Sequence, residues 1–494
     1  MIMKKIGKVI LSLAVMTMAA LHASAKVHMC PLFTDNMVLQ QRTEAPVGGT
    51  ADPGSTVTVK TSWNKSVYTA EVGSDGRWMV KVSTPKAGGP YTMTIAESES
   101  NPLIISNILI GEVWLCSGQS NMEQPVSGSW CPVRNHEQEV KDANYPKIRL
   151  LGVKKTTATV PMDDFTTYGD GWQECSPESI PEFSATAYFF GRELFLEMGV
   201  PVGLIHSSWG GTVIEAWMTK DALAGVKDLG QMAEEVATWP ADKPELKSNY
   251  PHAPTVLYNS MIEPLVPFAI KGAIWYQGCS NAERAHQYQD LMRLLIDDWR
   301  QLWGYDFPFY ITQLANYTKR QTEPCESSWA ELREAQAMAA QVVPDAGMAV
   351  TIDIGEADDI HPRNKQDVGK RLALQAMNKT YGKKVICDGP VYEGYEVDGN
   401  IIRVRFSSVA KGLVAKGDKL EGFTIAGADH QFHWADAKVV GDCIEVSCKD
   451  VSRPLAVRYA WAHNPLGNLY NTAGLPAGPF RTDSWTGVTY GKTK

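Results

Sequence analysis

Past its first 25 residues the chain has no run of 18 apolar residues, so no segment there is long enough to span a bilayer as a helix. It has no CxxC pair, no finger-like spacing of metal ligands, no HExxH, no Walker sequence and no dinucleotide fingerprint. Their absence removes the zinc-finger, zinc-protease, P-loop and nicotinamide-binding readings, and neither metal nor cofactor is expected. Positive charge is also short: 47 Lys and Arg face 55 Asp and Glu, for a formal charge of −8. Such a balance gives no electrostatic footprint for nucleic acid or an anionic membrane surface. Internal repeats and low-complexity stretches are missing too.

The 494 residues suggest two to four domains, large enough to bury a core without disulfides. The start reads as something other than fold. Lys4, Lys5 and Lys8 precede an apolar run from Val9 to about Leu21, and Ala23-Ser24-Ala25 offers small residues for cleavage. Those three parts make residues 1–25 a secretory signal peptide, and the apolar run is too short for an anchor. Its loss takes the charge to −11. The expected product is exported, periplasmic or secreted, with no membrane insertion in the mature form. The nine cysteines are an odd number, so at least one stays unpaired in a monomer; the oligomeric state is not legible. Cys443 and Cys448 are spaced to face each other across a short hairpin.

Hydrophobic periodicity divides the remainder. Residues 26–106 read as an N-terminal β-sandwich. Val57 and Val59 alternate with threonines, and Asp75-Gly76 signals a hairpin before Trp78, Val80 and Val82 on one face. Residues 107–383 alternate strands ("GEVWLC", "VPVGLIHSS", "IKGAIWYQG", "FPFYITQLAN", "MAVTIDIG") with helical patterns, one starting at the N-cap Ser184. That alternation predicts an α/β unit: a parallel sheet with helices on both faces. Residues 384–494 return to β patterning and form a C-terminal β-rich domain.

Ligands of a parallel α/β sheet sit at the carboxyl ends of its strands. One strand ends in Gly118-Gln119-Ser120-Asn121-Met122, a second in Ser207-Ser208-Trp209-Gly210-Gly211-Thr212, a third in Gln277-Gly278-Cys279-Ser280-Asn281, and the last leads into Asp358-Asp359-Ile360-His361-Pro362. Together these supply a hydroxyl, a glycine pair, amides and a carboxylate–imidazole pair, the parts that acyl transfer requires. Ser120 needs a base, and His361 is one. An imidazole needs a carboxylate on its Nδ1–H; Asp358 is the first choice, with Asp359 and Asp353 competing. Gly210 and Gly211 let backbone N–H groups approach an oxyanion, beside the Ser120 N–H, and Gln277 or Asn281 offers a side-chain donor. "GQSNM" is not Gly-x-Ser-x-Gly, which argues against the nucleophile elbow of α/β-hydrolases.

The segments "GQSNM", "GGTVIEAWM", "WYQGCSNA" and "DDIHPRNKQDVGKRLA" resemble, in order, the consecutive blocks of the SGNH-hydrolase superfamily. They are most similar to its sialate O-acetylesterase branch, close to the acetylxylan esterases. The resemblance covers about residues 107–381 and extends more weakly to both ends. It implies a flavodoxin-like sheet and a metal-independent serine esterase. Ser120 would be the nucleophile, His361 the base and Asp358 its orienter, with Ser120, Gly210 or Gly211 and Gln277 or Asn281 around the oxyanion. The implied substrate is an O-acetylated glycan or sialic acid, with acetylated xylan as the runner-up. One departure stands out: the third block usually reads Gln-Gly-Glu, and Cys279 holds the glutamate's place. A thiol supplies neither the charge nor the two acceptor oxygens. The alternative role for Cys279 is a pairing with Cys116 or Cys131. A second reading, a carbohydrate-binding protein whose chemistry is lost, rests on that departure.

Other residues carry two readings each. Trp217 is either structural or a platform for a sugar face. Arg333 either reaches an acidic substrate or pairs with a neighbouring carboxylate, the latter being favoured. His430 and His433 resemble metal-ligand spacing only superficially and read as a surface loop.

Overall fold

The computed structural model describes residues 27–97, 102–128, 130–240, 242–243 and 251–493. The expected signal peptide lies outside the described residues. Among them, no helix is long and apolar enough to cross a membrane.

The centre is a seven-strand path: β1 (Leu103–Gly118), β2 (Tyr145–Val153), β3 (Thr167–Cys175), β4 (Val202–Ser208), β5 (Gly272–Tyr276), β6 (Phe309–Thr312) and β7 (Ala346–Ala349), in the order β3-β2-β4-β1-β5-β6-β7. All neighbours are parallel except β3, which runs antiparallel to β2 on the edge. Sequence reading passed over β2 and β3. Strands β4, β5 and β6 are buried at every residue, as strands covered on both faces must be. The covering helices include α2 (Ala185–Met198), α3 (Ala285–Trp303), α4 (Ser328–Val342) and α5 (Lys365–Gln375). The Ser184 hydroxyl caps α2 as expected, accepting from the Ala187 N–H at 3.1 Å.

β1 is the axis of the molecule. It has 16 residues, and its first half belongs to the N-terminal strands, pairing with Gly88–Ala96 and Val38–Gln40. Its second half pairs with β4 and β5. The expected boundary between residues 106 and 107 therefore falls inside one strand, and a single hydrophobic core runs from Val47 and Trp78 through to Leu372. The alternation Trp78, Val80, Val82 does point inward. The Asp75-Gly76 turn, however, closes no hairpin: Val67–Glu71 pairs with Thr56–Thr61, whereas Arg77–Ser83 pairs with Glu44–Thr50 in another sheet.

The C-terminal strands form two four-stranded antiparallel sheets and a two-stranded pair around a separate core. Arg333, Arg371 and Arg481 of the central unit and this region tie the two together. Arg371 grips Asp353 through two bonds of 2.6 and 2.8 Å, and Tyr470 from the C-terminal part donates to the same carboxylate at 3.0 Å. Arg481 reaches back to Glu334 at 2.8 and 2.9 Å. All nine cysteines are free. Cys443 and Cys448 cannot face each other, because Cys443 starts the strand Cys443–Ser447 that Cys448 follows. Five residues along a strand separate them by about 16 Å.

The chain leaves β1 first toward β2 and β4, then crosses to β5 on the other side, so β1's carboxyl end is the topological switch point. Gly118 makes the exit there. Its φ is +140°, and a Cβ would lie 2.3 Å from the Tyr276 carbonyl oxygen of β5. The next N–H, on Gln119, donates to that same oxygen at 2.9 Å. Gly118→Ala should therefore cost about 2–4 kcal/mol, from strain plus a displaced strand end, and a thermal melt of the purified variant against wild type will measure the loss.

Candidate active site

Ser120 follows that exit directly. It opens α1 (Ser120–Glu123), a single helical turn, so its side chain projects past the sheet instead of into it. Gly210, after β4, passes so close that a Cβ there would lie 3.1 Å from the Ser120 Cβ. On the other side of the switch point the Gly278 N–H donates to the Gln119 side-chain oxygen at 2.9 Å, closing β1's exit against β5's. Ser120, Gly210, Gly211, Cys279, Ser280, Ile360 and His361 line one cavity of about 730 Å³. The glycine pair and both ends of the expected serine–imidazole pair are thus brought together.

The carboxylate is a correction. Asp359, not Asp358, holds His361: its Oδ1 accepts from the ring Nδ1 at 3.1 Å and from the His361 backbone N–H at 2.9 Å. Asp358 is exposed, and Asp353 is committed to Arg371. In this bent loop a carboxylate two residues back folds over the following N–H, as an Asx turn does, and reaches the ring of the same residue. Burial pushes Asp359 up, but the His361 N–H and the nearby imidazole outweigh it and hold the carboxyl below its usual range. Burial lowers His361, and Asp359 opposes only part of that shift.

The base is fixed from behind. Asn121 Nδ2 donates to the Ile360 carbonyl at 3.0 Å, and the Asn121 oxygen accepts from Lys365 Nζ at 2.8 Å. Lys365 also donates to the Pro362 carbonyl at 2.7 Å. Its ammonium is fully buried, and burial pushes it down to about 7. Cys131 turns its thiol toward the other Asp359 oxygen (3.6 Å) and the His361 carbonyl (3.4 Å). Trp130 meets the imidazole edge-on at 5.0 Å.

Both expected side-chain oxyanion donors are corrected. Gln277 Nε2 donates to the Thr212 carbonyl (3.1 Å) and to Asn281 Oδ1 (2.7 Å), and its oxygen accepts from Tyr288. Asn281 Nδ2 donates to Glu215, whose other oxygen pairs with Arg284. These buried amides knit β5's exit to the segment after the glycines and do not line the cavity. Trp217 is corrected as a sugar platform: it is fully buried, with its indole N–H on Thr212 Oγ1 at 3.0 Å. Arg333 reaches neither substrate nor carboxylate. Its guanidinium donates to the carbonyls of Leu314, Ala315, Ala462 and His463 at 2.7–2.9 Å, and burial pushes it down to about 9. Cys279 bonds to neither Cys116 nor Cys131; burial pushes its thiol up to about 12, so it faces the cavity uncharged.

Three cavity residues, Glu123, Lys155 and Trp130, escaped sequence reading, and Trp209 was read only as part of a strand end. Glu123 lies one helical turn after Ser120, and that spacing was readable. Its carboxylate accepts from the Gly210 N–H at 2.6 Å and forms an ion pair with Lys155. Lys155 follows the overlooked β2, and its ammonium lies 5.8 Å from the Trp209 ring centre. Trp209 and Trp130 supply the aromatic surface that Trp217 does not. A second serine–histidine pair, Ser208 and His206 at 2.6 Å, lines a neighbouring cavity of about 610 Å³. Burial drives His206 down to about 3, which makes it a poor base. His361, with its carboxylate, is the pair suited to general-base chemistry. Among the described residues no group of acidic, histidine or cysteine side chains is arranged to hold a metal, and His430 stacks on Trp485 at 3.7 Å.

The family described as carbohydrate esterase, sialic acid-specific acetylesterase, matches residues 110–378. The mouse sialate O-acetylesterase is 30% identical over 91% of this chain and 93% of its own length. The human sialate O-acetylesterase is 30% identical over 90% of each. A crystal structure of a carbohydrate acetylesterase from Xanthomonas citri superposes with a TM-score of 0.83 at 37% identity, covering 93% of this chain and all of that one.

Replacing each acidic side chain separates the two candidates for the orienter. Asp359→Asn should lower kcat on an aryl acetate by about 10³–10⁴, the scale of losing a triad carboxylate, while Asp358→Asn stays within about twofold of wild type. Equal losses would contradict the assignment. Because burial lowers His361, the acid limb of the kcat/KM–pH profile should have its midpoint below the ordinary histidine value of 6.5. The neutral base is present above that midpoint and lost below it.

Proposed function

The chain belongs to the sialic acid-specific acetylesterase family of carbohydrate esterases and is an ester hydrolase for O-acetylated carbohydrate; from that premise, we propose that it deacetylates sialic acids through an acetyl-Ser120 intermediate. The observation that carries the mechanism is the Asp359-held imidazole opening onto the same cavity as Ser120. Ser120 Oγ attacks the acetyl carbonyl while His361 Nε2 takes its proton. The tetrahedral oxyanion is met by the backbone N–H groups of Ser120 and of Gly210 or Gly211. The Gly210 N–H bonds Glu123 in the absence of substrate, and the incoming carbonyl oxygen takes that donor over while Lys155 keeps Glu123. The C–O bond to the sugar then breaks, and His361 returns its proton to the leaving hydroxyl. Water, deprotonated by His361, attacks acetyl-Ser120 and releases acetate and free serine.

Two things support a sialic acid over a neutral glycan. The mouse and human relatives that align along nine-tenths of the chain are sialate O-acetylesterases. Lys155 also places a cation on the wall of the reactive cavity, where a sugar carboxylate can share it with Glu123. Export to the periplasm or beyond belongs to the same proposal and rests on the three-part pattern of residues 1–25.

Acetate release from O-acetylated sialosides should exceed that from acetylated xylan by at least about tenfold in kcat/KM, an advantage of about 1.4 kcal/mol. Lys155→Met should erase most of that preference, read as the ratio of kcat/KM on the two glycans, in which any loss common to both substrates from the freed Glu123 cancels. Equal rates on both glycans in wild type would overturn the sialate assignment without touching the esterase mechanism.

A further inference from the structure

A separate cavity of about 280 Å³ opens where the loop after β6 meets the C-terminal sheets, and it shares no lining residue with the Ser120 cavity. Trp434 and Gln321 form part of its wall, and Trp461 and Arg458 another part. Trp434 is 42% exposed, and its indole N–H is already bonded to the Thr322 carbonyl at 2.9 Å, which fixes the ring in place. Trp461 is 7% exposed. The Trp461 Nε1 and the Gln321 Oε1 are both shielded from solvent, and neither has a hydrogen-bond partner among the described residues.

Charge narrows the ligand. Arg458 is held by Asp483 through bonds of 2.8 and 3.0 Å and by Glu326 at 2.8 Å. Two carboxylates hold that guanidinium, and the other charged side chains on the wall, Arg320 and Glu323, are one of each sign, so the cavity offers an anion no net positive charge. What remains is an exposed aromatic face beside the polar side chains of Gln321, Arg320 and Glu323. A pyranose matches that set: its C–H face lies on an aromatic ring, and its hydroxyls both donate and accept.

We propose that this junction cavity is a second saccharide site, which binds a neutral pyranose unit with Trp434 as the platform and the Gln321 side-chain amide as its hydrogen-bonding partner. It does not take part in ester cleavage. It holds a sugar of the glycan at a distance from the reacting acetyl group, and so raises the local concentration of substrate at the enzyme.

The test uses the full chain with N-acetyllactosamine and xylobiose, neither of which carries an acetyl ester. Binding is followed by calorimetry and saturation-transfer NMR. At least one disaccharide should bind wild type, and Gln321→Leu and Trp434→Ala should each weaken it by about fivefold or more, the scale of one lost hydrogen bond or ring contact. Trp434→Phe keeps an aromatic face but not the Thr322 bond, and it should retain affinity within about twofold. Aryl acetate kcat/KM should stay within about twofold of wild type in all three variants. The proposal is overturned if neither sugar binds, if Gln321→Leu and Trp434→Ala leave binding intact, or if Trp434→Phe loses as much as Trp434→Ala. That last result would show that Trp434 serves only to anchor the loop.

Discussion

The site depends on one buried side chain that spans 239 residues of sequence. Asn121 sits beside the nucleophile on a single helical turn, and its amide grips the loop that carries the base, through the Ile360 carbonyl and the Lys365 ammonium. A turn of four residues has almost no helical stability of its own. The loop from residue 350 to 364 has no regular structure either. Neither would keep a serine and an imidazole in register unaided. The tie works because it is dry: in a low-dielectric setting an amide with both ends satisfied is strong, and breaking one end strands the other.

Charge around this tie is arranged in tiers. Lys365 behind the loop is buried deeply enough that its ammonium titrates near 7, and its partners are neutral oxygens from Asn121 and Pro362. At the front, Glu123 and Lys155 neutralise each other at the cavity wall, and Glu123 spans to the Gly210 N–H. Between them the Asp359–His361 pair is half-buried: dry enough to lower the imidazole, polar enough to keep the carboxylate ionised. Cys279 adds no charge to the cavity. The carbohydrate-binding reading that its substitution prompted is displaced by membership of an esterase family and by an Asp359–His361 pair, open to the Ser120 cavity, that does not run through residue 279.

Legibility followed period and spacing. Strands β1, β4, β5 and β6 and helices α2 to α5 were readable because each carries an apolar pattern of one period, whereas β7 was placed too late: "MAVTIDIG" runs from Met348 into the irregular loop, and the strand is Ala346–Ala349. β2 and β3 were not, since Tyr145–Val153 opens with Tyr-Pro-Lys and Thr167–Cys175 carries exposed residues around two glycines, patterns that resemble loop. The N-terminal boundary was misplaced because a strand shared by two sheets shows no break in composition at residue 107. At the site, Ser120, Gly210, Gly211 and His361 were legible as strand-end residues. Gln277, Asn281, Trp217 and Arg333 were equally prominent in sequence, yet the chain spends them on internal hydrogen bonds.

The sequence by itself determined the class of chemistry and the strand ends that bear it, because nucleophile, base and glycines are written in local motifs whose residue types have few other uses together. Only the tertiary structure decided which of two adjacent aspartates orients the imidazole. Neighbours in sequence point in different directions once a loop bends, and no pattern of types records that direction. The same holds for Glu123 and Lys155, which meet across 32 residues, and for amides that fold inward to satisfy one another. Partner choice among buried polar groups is set by distance and desolvation in three dimensions, which a linear reading does not contain.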